Sequence, residues 1–64
     1  MKNFIADFRK SKGFTQRQLA EALNLHYQAV QRWERGEQTP SVDAALRLAK
    51  ALDTTVESLF SIDD

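Results

Sequence analysis

Apolar residues recur every three or four positions through most of this chain, and no stretch alternates apolar and polar residues for long enough to predict a strand. This spacing places apolar side chains along one face of each of several short helices. Residues typical of helix ends and turns separate the periodic segments, among them Gly13, Asn24, Gly36 and Pro40. The pattern predicts an all-α chain, a compact bundle of five short helices.

The first and fourth helices have the clearest inward faces. The first is predicted over about Lys2–Ser11, with Phe4, Ile5 and Phe8 facing the core. The fourth begins after Ser41, a good N-cap residue, and Thr55 can cap a short fifth helix. Its predicted inward residues are Val42, Ala45, Leu46, Ala49 and Leu52.

The size and composition of the chain exclude several classes of protein. With 64 residues and no cysteine, it can form one small core without disulfides or thiolate-bound metal. His26 is the only histidine, so we expect no metal site, no cofactor and no enzyme activity. There is no apolar run long enough for a signal sequence or a membrane span, and no room for a small-molecule ligand domain. We therefore expect a single cytoplasmic domain over residues 1–64.

Charge is distributed unequally, although the formal net charge is zero. Residues 1–35 contain seven Lys or Arg and three Asp or Glu, a balance of +4, and residues 36–64 contain two and six, a balance of −4. The asymmetry suggests that a polyanion binds the first half, whereas chance clustering of solvated charges remains an alternative.

The middle of the chain predicts two helices joined by a tight turn. Thr15 and Gln18 match a capping box at the start of the second helix. Asn24 tolerates the left-handed backbone of a sharp turn, and Leu25 is expected to fill the corner of that turn. The third helix, about Tyr27–Arg35, turns Val30 and Trp33 inward. Residues 15–35 therefore match the geometry of a helix-turn-helix that reads DNA.

A set of residues between Phe4 and Phe60 resembles the lambda-repressor-like family of helix-turn-helix regulators, also called the Cro/cI or Xre type. The resemblance implies a DNA-binding domain in which the second and third helices form the helix-turn-helix. The matching positions are Arg9, Gly13, Thr15, Gln16, Leu19, Ala20, Val30, Trp33, Glu34, Arg35, Gly36, Pro40, Leu46, Ala49, Leu52, Leu59 and Phe60.

The resemblance also implies roles for particular side chains. In the family an acid at the position of Glu34 pairs with an arginine at the end of the first helix, here Arg9, and the amide of Gln16 holds a DNA phosphate. Serine or threonine usually caps the recognition helix, where this chain has His26, which could cap it weakly or meet a phosphate. The expected phosphate contacts are Lys10, Thr15, Gln16, Arg17, His26 and Arg35, although a solvated surface role is an alternative for Lys10, Arg17 and Arg35.

Base contacts are expected from the start and the outer face of the third helix, the part that enters the major groove. The candidates are Tyr27, Gln28, Gln31 and Arg32. Gln28 could pair with adenine and Arg32 with guanine, each through two hydrogen bonds. Tyr27 could touch either a thymine methyl group or a phosphate.

These features predict a transcriptional regulator, a repressor, that binds double-stranded DNA at a pseudo-palindromic operator as a homodimer. The family commonly dimerises through the last helix, here within residues 53–62. The candidate dimer residues are Val56, Leu59, Phe60 and Ile62. The alternative is a protein-interaction or antitoxin-type module, in which Tyr27 and Arg32 would suit a protein interface equally well.

Overall fold

The structure, a computed structural model, describes residues 1–62, and Asp63 and Asp64 of the predicted domain lie outside the described residues. The five predicted helices are confirmed. They are α1 (Ile5–Ser11), α2 (Gln16–Ala22), α3 (Tyr27–Glu34), α4 (Val42–Ala51) and α5 (Val56–Leu59). Two short strands, β1 (Lys2–Asn3) and β2 (Phe60–Ser61), pair antiparallel with each other.

Three of the helices begin at hydroxyl side chains that the sequence predicts as caps. Thr15 Oγ1 accepts a hydrogen bond from the Gln18 backbone, and Gln18 Oε1 accepts one from the Thr15 backbone, so the capping box before α2 is confirmed. Ser41 caps α4 and Thr55 caps α5 in the same manner. These bonds satisfy amide groups that a helix leaves unpaired at its start.

The core lies between all five helices. Trp33 is 6% exposed and packs in this core with Val30, as the periodicity of α3 predicts. Ala20 is 2% exposed, and its small side chain allows α2 and α3 to approach each other closely. The other core residues are Ile5, Leu19, Leu23, Leu48, Ala49, Leu52 and Leu59.

The chain termini differ from the prediction, because the first helix begins at Ile5 and not at Lys2. Lys2 pairs with Ser61 and Asn3 with Phe60, and the Phe4 amide donates to the Leu59 carbonyl over 2.8 Å. The expectation that no strand forms is therefore wrong for these residues. The partner of β1 lies almost a whole chain length away, and a local apolar pattern does not contain that information.

Four apolar residues that were expected inside are exposed. Phe4 is 40% exposed, Leu46 is 59% exposed and Val42 is 78% exposed, whereas Leu48 is fully buried. Leu25, expected to fill the corner between α2 and α3, is 43% exposed. On α4, two overlapping stripes both satisfy three-and-four spacing, and packing against the neighbouring helices selects the stripe that includes Leu48.

Candidate nucleic-acid interface

The turn between α2 and α3 fixes the angle at which the two helices meet. Asn24 adopts a left-handed backbone with φ of 59°, as its position predicts. The Leu25 amide donates to the Ala20 carbonyl over 2.9 Å, which closes the end of α2. The turn therefore leads the chain directly into the N-cap of α3 at His26.

A polar network joins α1, the start of α2 and the end of α3. Arg9 Nε lies 2.7 Å from Glu34 Oε2, and the two side chains are only 11% and 9% exposed, so the expected ion pair forms. Gln16 Nε2 donates to Glu34 Oε1 over 2.9 Å, and Arg9 Nη1 donates to the Phe14 carbonyl over 2.9 Å. Glu34 thus holds the Gln16 amide at the beginning of α2, a contact that the sequence analysis missed.

The outer face of α3 presents the four candidate base contacts. Gln28 and Arg32 are exposed, and Tyr27 and Gln31 are half-buried. Gln28, Gln31 and Arg32 line one polar recess, together with Arg35 at the end of the helix. This side of α3 can offer several hydrogen-bond donors and acceptors to one ligand.

Three side chains stack on one another at the N-terminus of α3. The Arg17 guanidinium carbon lies 3.9 Å from the centre of the Tyr27 ring, and the His26 and Tyr27 rings lie 4.9 Å apart at an angle of 30°. His26 Nδ1 accepts a long hydrogen bond of 3.4 Å from the backbone N–H of Gln28, so the histidine does cap α3. Sequence spacing gave no signal for this stack, because Arg17 reaches Tyr27 from a different helix.

The remaining candidate phosphate contacts lie at the ends of three helices. Thr15 and Lys10 are exposed, at the cap of α2 and in the last turn of α1. Arg35 is exposed at the end of α3 and lies 3.7 Å from a Glu37 carboxylate oxygen, too far for a strong ion pair. Glu37 places one negative charge beside the polar recess, which the sequence analysis did not anticipate.

A second, apolar surface lies at the C-terminal end. Ile62 is 82% exposed, and Val56 and Phe60 are half-buried beside a groove of about 190 Å³. Leu59 is fully buried, so its assignment to a dimer surface is wrong. It fills the core of its own chain, because α5 is only one turn long and Leu59 is its inward residue. The groove is lined by Met1, Thr39, Pro40, Val42, Ala45, Val56 and Phe60.

Residues 1–62 contain neither a metal-binding cluster nor a membrane-spanning helix. In this part of the chain, no three acidic or histidine side chains are arranged to hold a metal ion. None of the helices described there has the length and apolar character that crossing a membrane requires.

Comparison with known proteins identifies the family. The family model described as Helix-turn-helix, of the Xre and cI type, matches residues 5–59, which include all five helices. The chain belongs to this helix-turn-helix family. A transcriptional regulator of the helix-turn-helix type from Methanothermobacter thermautotrophicus is 35% identical over 65 residues, covering 100% of this chain and 94% of the relative. One from Archaeoglobus fulgidus is 31% identical over 64 residues, covering 100% and 91%.

A solved structure shows the same fold. This helix-turn-helix protein superimposes on SinR, a master regulator for biofilm formation that was crystallised in complex with DNA, with a TM-score of 0.78 and 31% identity. The match covers 84% of this chain and 87% of the SinR chain in that structure. The relatives from Methanothermobacter thermautotrophicus and Archaeoglobus fulgidus are named as transcriptional regulators, a class of proteins that is not enzymatic.

Proposed function

We propose that this protein is a sequence-specific DNA-binding regulator of transcription that acts in the cytoplasm and places α3 in the major groove. The observation that carries the proposal is the outer face of α3, where exposed Gln28 and Arg32 share a recess with Gln31 beside a rigid, capped helix pair. The similarity to SinR, which was crystallised with DNA, supports the same use of the fold. An α-helix fits the major groove, whose base edges carry a distinct pattern for each base pair.

We assign base preference to polar side chains on the outer face of α3. The Gln28 amide suits adenine N6 and N7, and the Arg32 guanidinium suits guanine O6 and N7. Gln31 lies between them and adds a third polar group to the same recess. Each good two-bond contact contributes about 1 to 3 kcal/mol of discrimination against the wrong base.

Affinity for the phosphate backbone is assigned to the surrounding polar groups. One hydrogen of the Gln16 amide bonds Glu34, which orients the group and leaves its second hydrogen for a phosphate oxygen. Lys10, Arg17 and Arg35 add positive charge around it. Thr15 and His26 contribute the exposed caps of α2 and α3.

We assign the functional form to a homodimer on a pseudo-palindromic operator. One helix-turn-helix contacts only a few base pairs, so specificity requires two half-sites about 34 Å apart. The apolar surface beside Val56, Phe60 and Ile62 is the proposed contact between the two copies. We assign the dimer the role of a repressor, on the basis that a bound dimer excludes polymerase where its operator overlaps a promoter.

Selection of bound sequences from random duplex DNA tests this function. We expect enrichment of a two-fold symmetric site, and a gel shift with that site then measures affinity. Arg32→Ala should relax preference at one base pair of each half-site, whereas Gln16→Ala should weaken binding to all sequences by a similar factor. If no sequence is enriched at low salt, the protein-interaction or antitoxin-type function replaces this one.

A further inference from the structure

The stack at the start of α3 joins residues from two helices and the turn between them. Arg17 is the second residue of α2, His26 caps α3, and Tyr27 is its first residue. Arg17 lies over the face of the Tyr27 ring at 3.9 Å from its centre, within the range of a cation–π contact. The same three residues line a recess of about 200 Å³ beside the turn.

The Tyr27 ring is a fixed surface for the arginine. Tyr27 is half-buried and packs against the hydrophobic core, so its ring orientation is set by the fold. The Arg17 side chain is exposed and would otherwise sample many rotamers. Stacking uses the flat face of the guanidinium and leaves the N–H donors in its plane available for an anion.

The orientation of the Arg17 guanidinium also determines whether it pairs with the nearby acid Glu21. Glu21 follows Arg17 by one helical turn and lines the same recess. Residues four apart on a helix can pair, and such a pair would neutralise the arginine. Within residues 1–62, however, Arg17 stacks on Tyr27 and forms no ion pair with Glu21. The ring thus keeps the positive charge of Arg17 on the side of α3.

We propose that Tyr27 is a positioning residue, whose ring holds the Arg17 guanidinium ready to bind a DNA phosphate, and that it does not select a base. This inference rests on the proposed DNA-binding function. It decides between the two roles open to Tyr27, because a ring face covered by Arg17 is not available to a thymine methyl group. Tyr27 therefore raises affinity for every duplex by limiting the freedom that Arg17 loses on binding.

Binding measurements on four variants test this role, using the selected operator and an unrelated duplex at several salt concentrations. Tyr27→Leu should weaken binding to both duplexes by the same factor, about 2- to 5-fold, as expected from loss of an exposed cation–π contact. Tyr27→Phe, the matched control, keeps the ring and should bind within about 2-fold of the wild type. Arg17→Ala should weaken binding to both duplexes further. It should also reduce the slope of log affinity against log salt concentration by about 0.9 per subunit. The double variant Arg17→Ala with Tyr27→Leu should bind like Arg17→Ala alone.

A fifth variant covers the possibility that Tyr27→Leu disturbs the core. Arg17→Lys changes only an exposed residue and keeps the charge, but an ammonium lacks the flat face that stacks. It should weaken binding to both duplexes, by at most the factor seen for Tyr27→Leu, while the salt slope stays unchanged. Wild-type affinity for Arg17→Lys would overturn the proposal. The proposal would also be overturned if Tyr27→Leu weakened binding to the operator much more than binding to the unrelated duplex. The same holds if the double variant bound more weakly than Arg17→Ala by the full factor seen for Tyr27→Leu.

A measurement without DNA separates this proposal from the proposed function. Protons of the Arg17 side chain should show upfield NMR shifts from the Tyr27 ring, and these shifts should persist in Tyr27→Phe and disappear in Tyr27→Leu. Their absence in the wild type overturns the positioning role, even if the protein binds an operator. Conversely, upfield shifts in a protein that binds neither duplex would overturn both the DNA-binding function and the phosphate role of the stack.

Discussion

The surface around α2 and α3 and the surface at the C-terminal end are built from different chemistry. On the first, side chains hold one another in place, as Glu34 holds Gln16 and Tyr27 holds Arg17. On the second, Val42 is exposed at the rim of an apolar groove, and Ile62 is exposed near the end of the chain. Oriented polar groups suit a charged polymer, whereas exposed apolar area suits association with another protein. The contrast supports assigning DNA to the first surface and a second copy to the other.

The charge distribution follows the same division. The excess of Lys and Arg lies in residues 1–35, which form α1 to α3, and the excess of Asp and Glu lies in residues 36–64. Acidic residues near the phosphate backbone would oppose binding, so their location in the second half favours an orientation in which α5 points away from DNA. The zero net charge therefore does not argue against a DNA partner.

The largest expected effect tests where the core ends and the apolar surface begins. Leu59→Ala should lower the free energy of unfolding by about 4 kcal/mol, because Leu59 is fully buried and its truncation leaves a cavity. Leu46→Ala is the matched control, since Leu46 is 59% exposed, and it should cost less than about 1 kcal/mol. Urea denaturation measures both. A small loss of stability in Leu59→Ala would indicate that Leu59 lies on the exposed surface and not in the core.

Local sequence signals predicted the helices well, since caps such as Thr15 and turn residues such as Asn24 act within a few positions. They could not predict β1, because its partner Phe60–Ser61 comes from the other end of the chain. The same limit explains why the burial of Leu48 was not predicted, since another stripe on α4 has equally good spacing. Contacts between elements decide these cases.

The candidate site shows the same division. The resemblance to a known family supplied the pair of Arg9 with Glu34, and the structure forms it. The bond from Gln16 to Glu34 and the stack of Arg17 on Tyr27 were missed, because each joins residues from different helices. The positions of the side chains were therefore predictable, but not the contacts that orient them.

The next effect tests the polar network of Arg9, Gln16 and Glu34. Glu34→Ala should lower the free energy of unfolding by about 3 kcal/mol, because it leaves the nearly buried Arg9 guanidinium without its counter-ion. It should also weaken binding to every duplex, because Gln16 loses the acceptor that orients its amide. Arg47→Ala is the control, since it breaks an exposed ion pair with Asp43 and should cost less than about 1 kcal/mol. Equal losses of stability in the two variants would contradict the importance of burial.

A smaller effect tests the proposed dimer surface. Ile62→Glu should leave the stability of the folded chain within about 0.5 kcal/mol of the wild type, because Ile62 is 82% exposed. Between two copies the added carboxylates would repel each other and lose apolar contact, so we expect sedimentation to show a shift toward monomer. Affinity for the symmetric operator should fall, while affinity for a single half-site stays the same. Unchanged dimerisation would assign the contact to another surface. Glu57→Gln, which removes a negative charge from the exposed side of α5, is the control and should leave dimerisation intact.

The smallest effects compare the caps of α2 and α3. Thr15 makes both bonds of a capping box, at 2.9 and 3.0 Å, so Thr15→Ala should cost about 1 kcal/mol of stability. His26 makes one bond of 3.4 Å from a ring nitrogen, a weaker cap than a hydroxyl provides. His26→Ser should therefore raise stability by about 0.5 kcal/mol, measured by thermal unfolding, with His26→Ala as the variant that lacks any cap. A loss of stability in His26→Ser as large as that in His26→Ala would show that the ring acts by stacking on Tyr27 and that its bond from the backbone N–H of Gln28 contributes little.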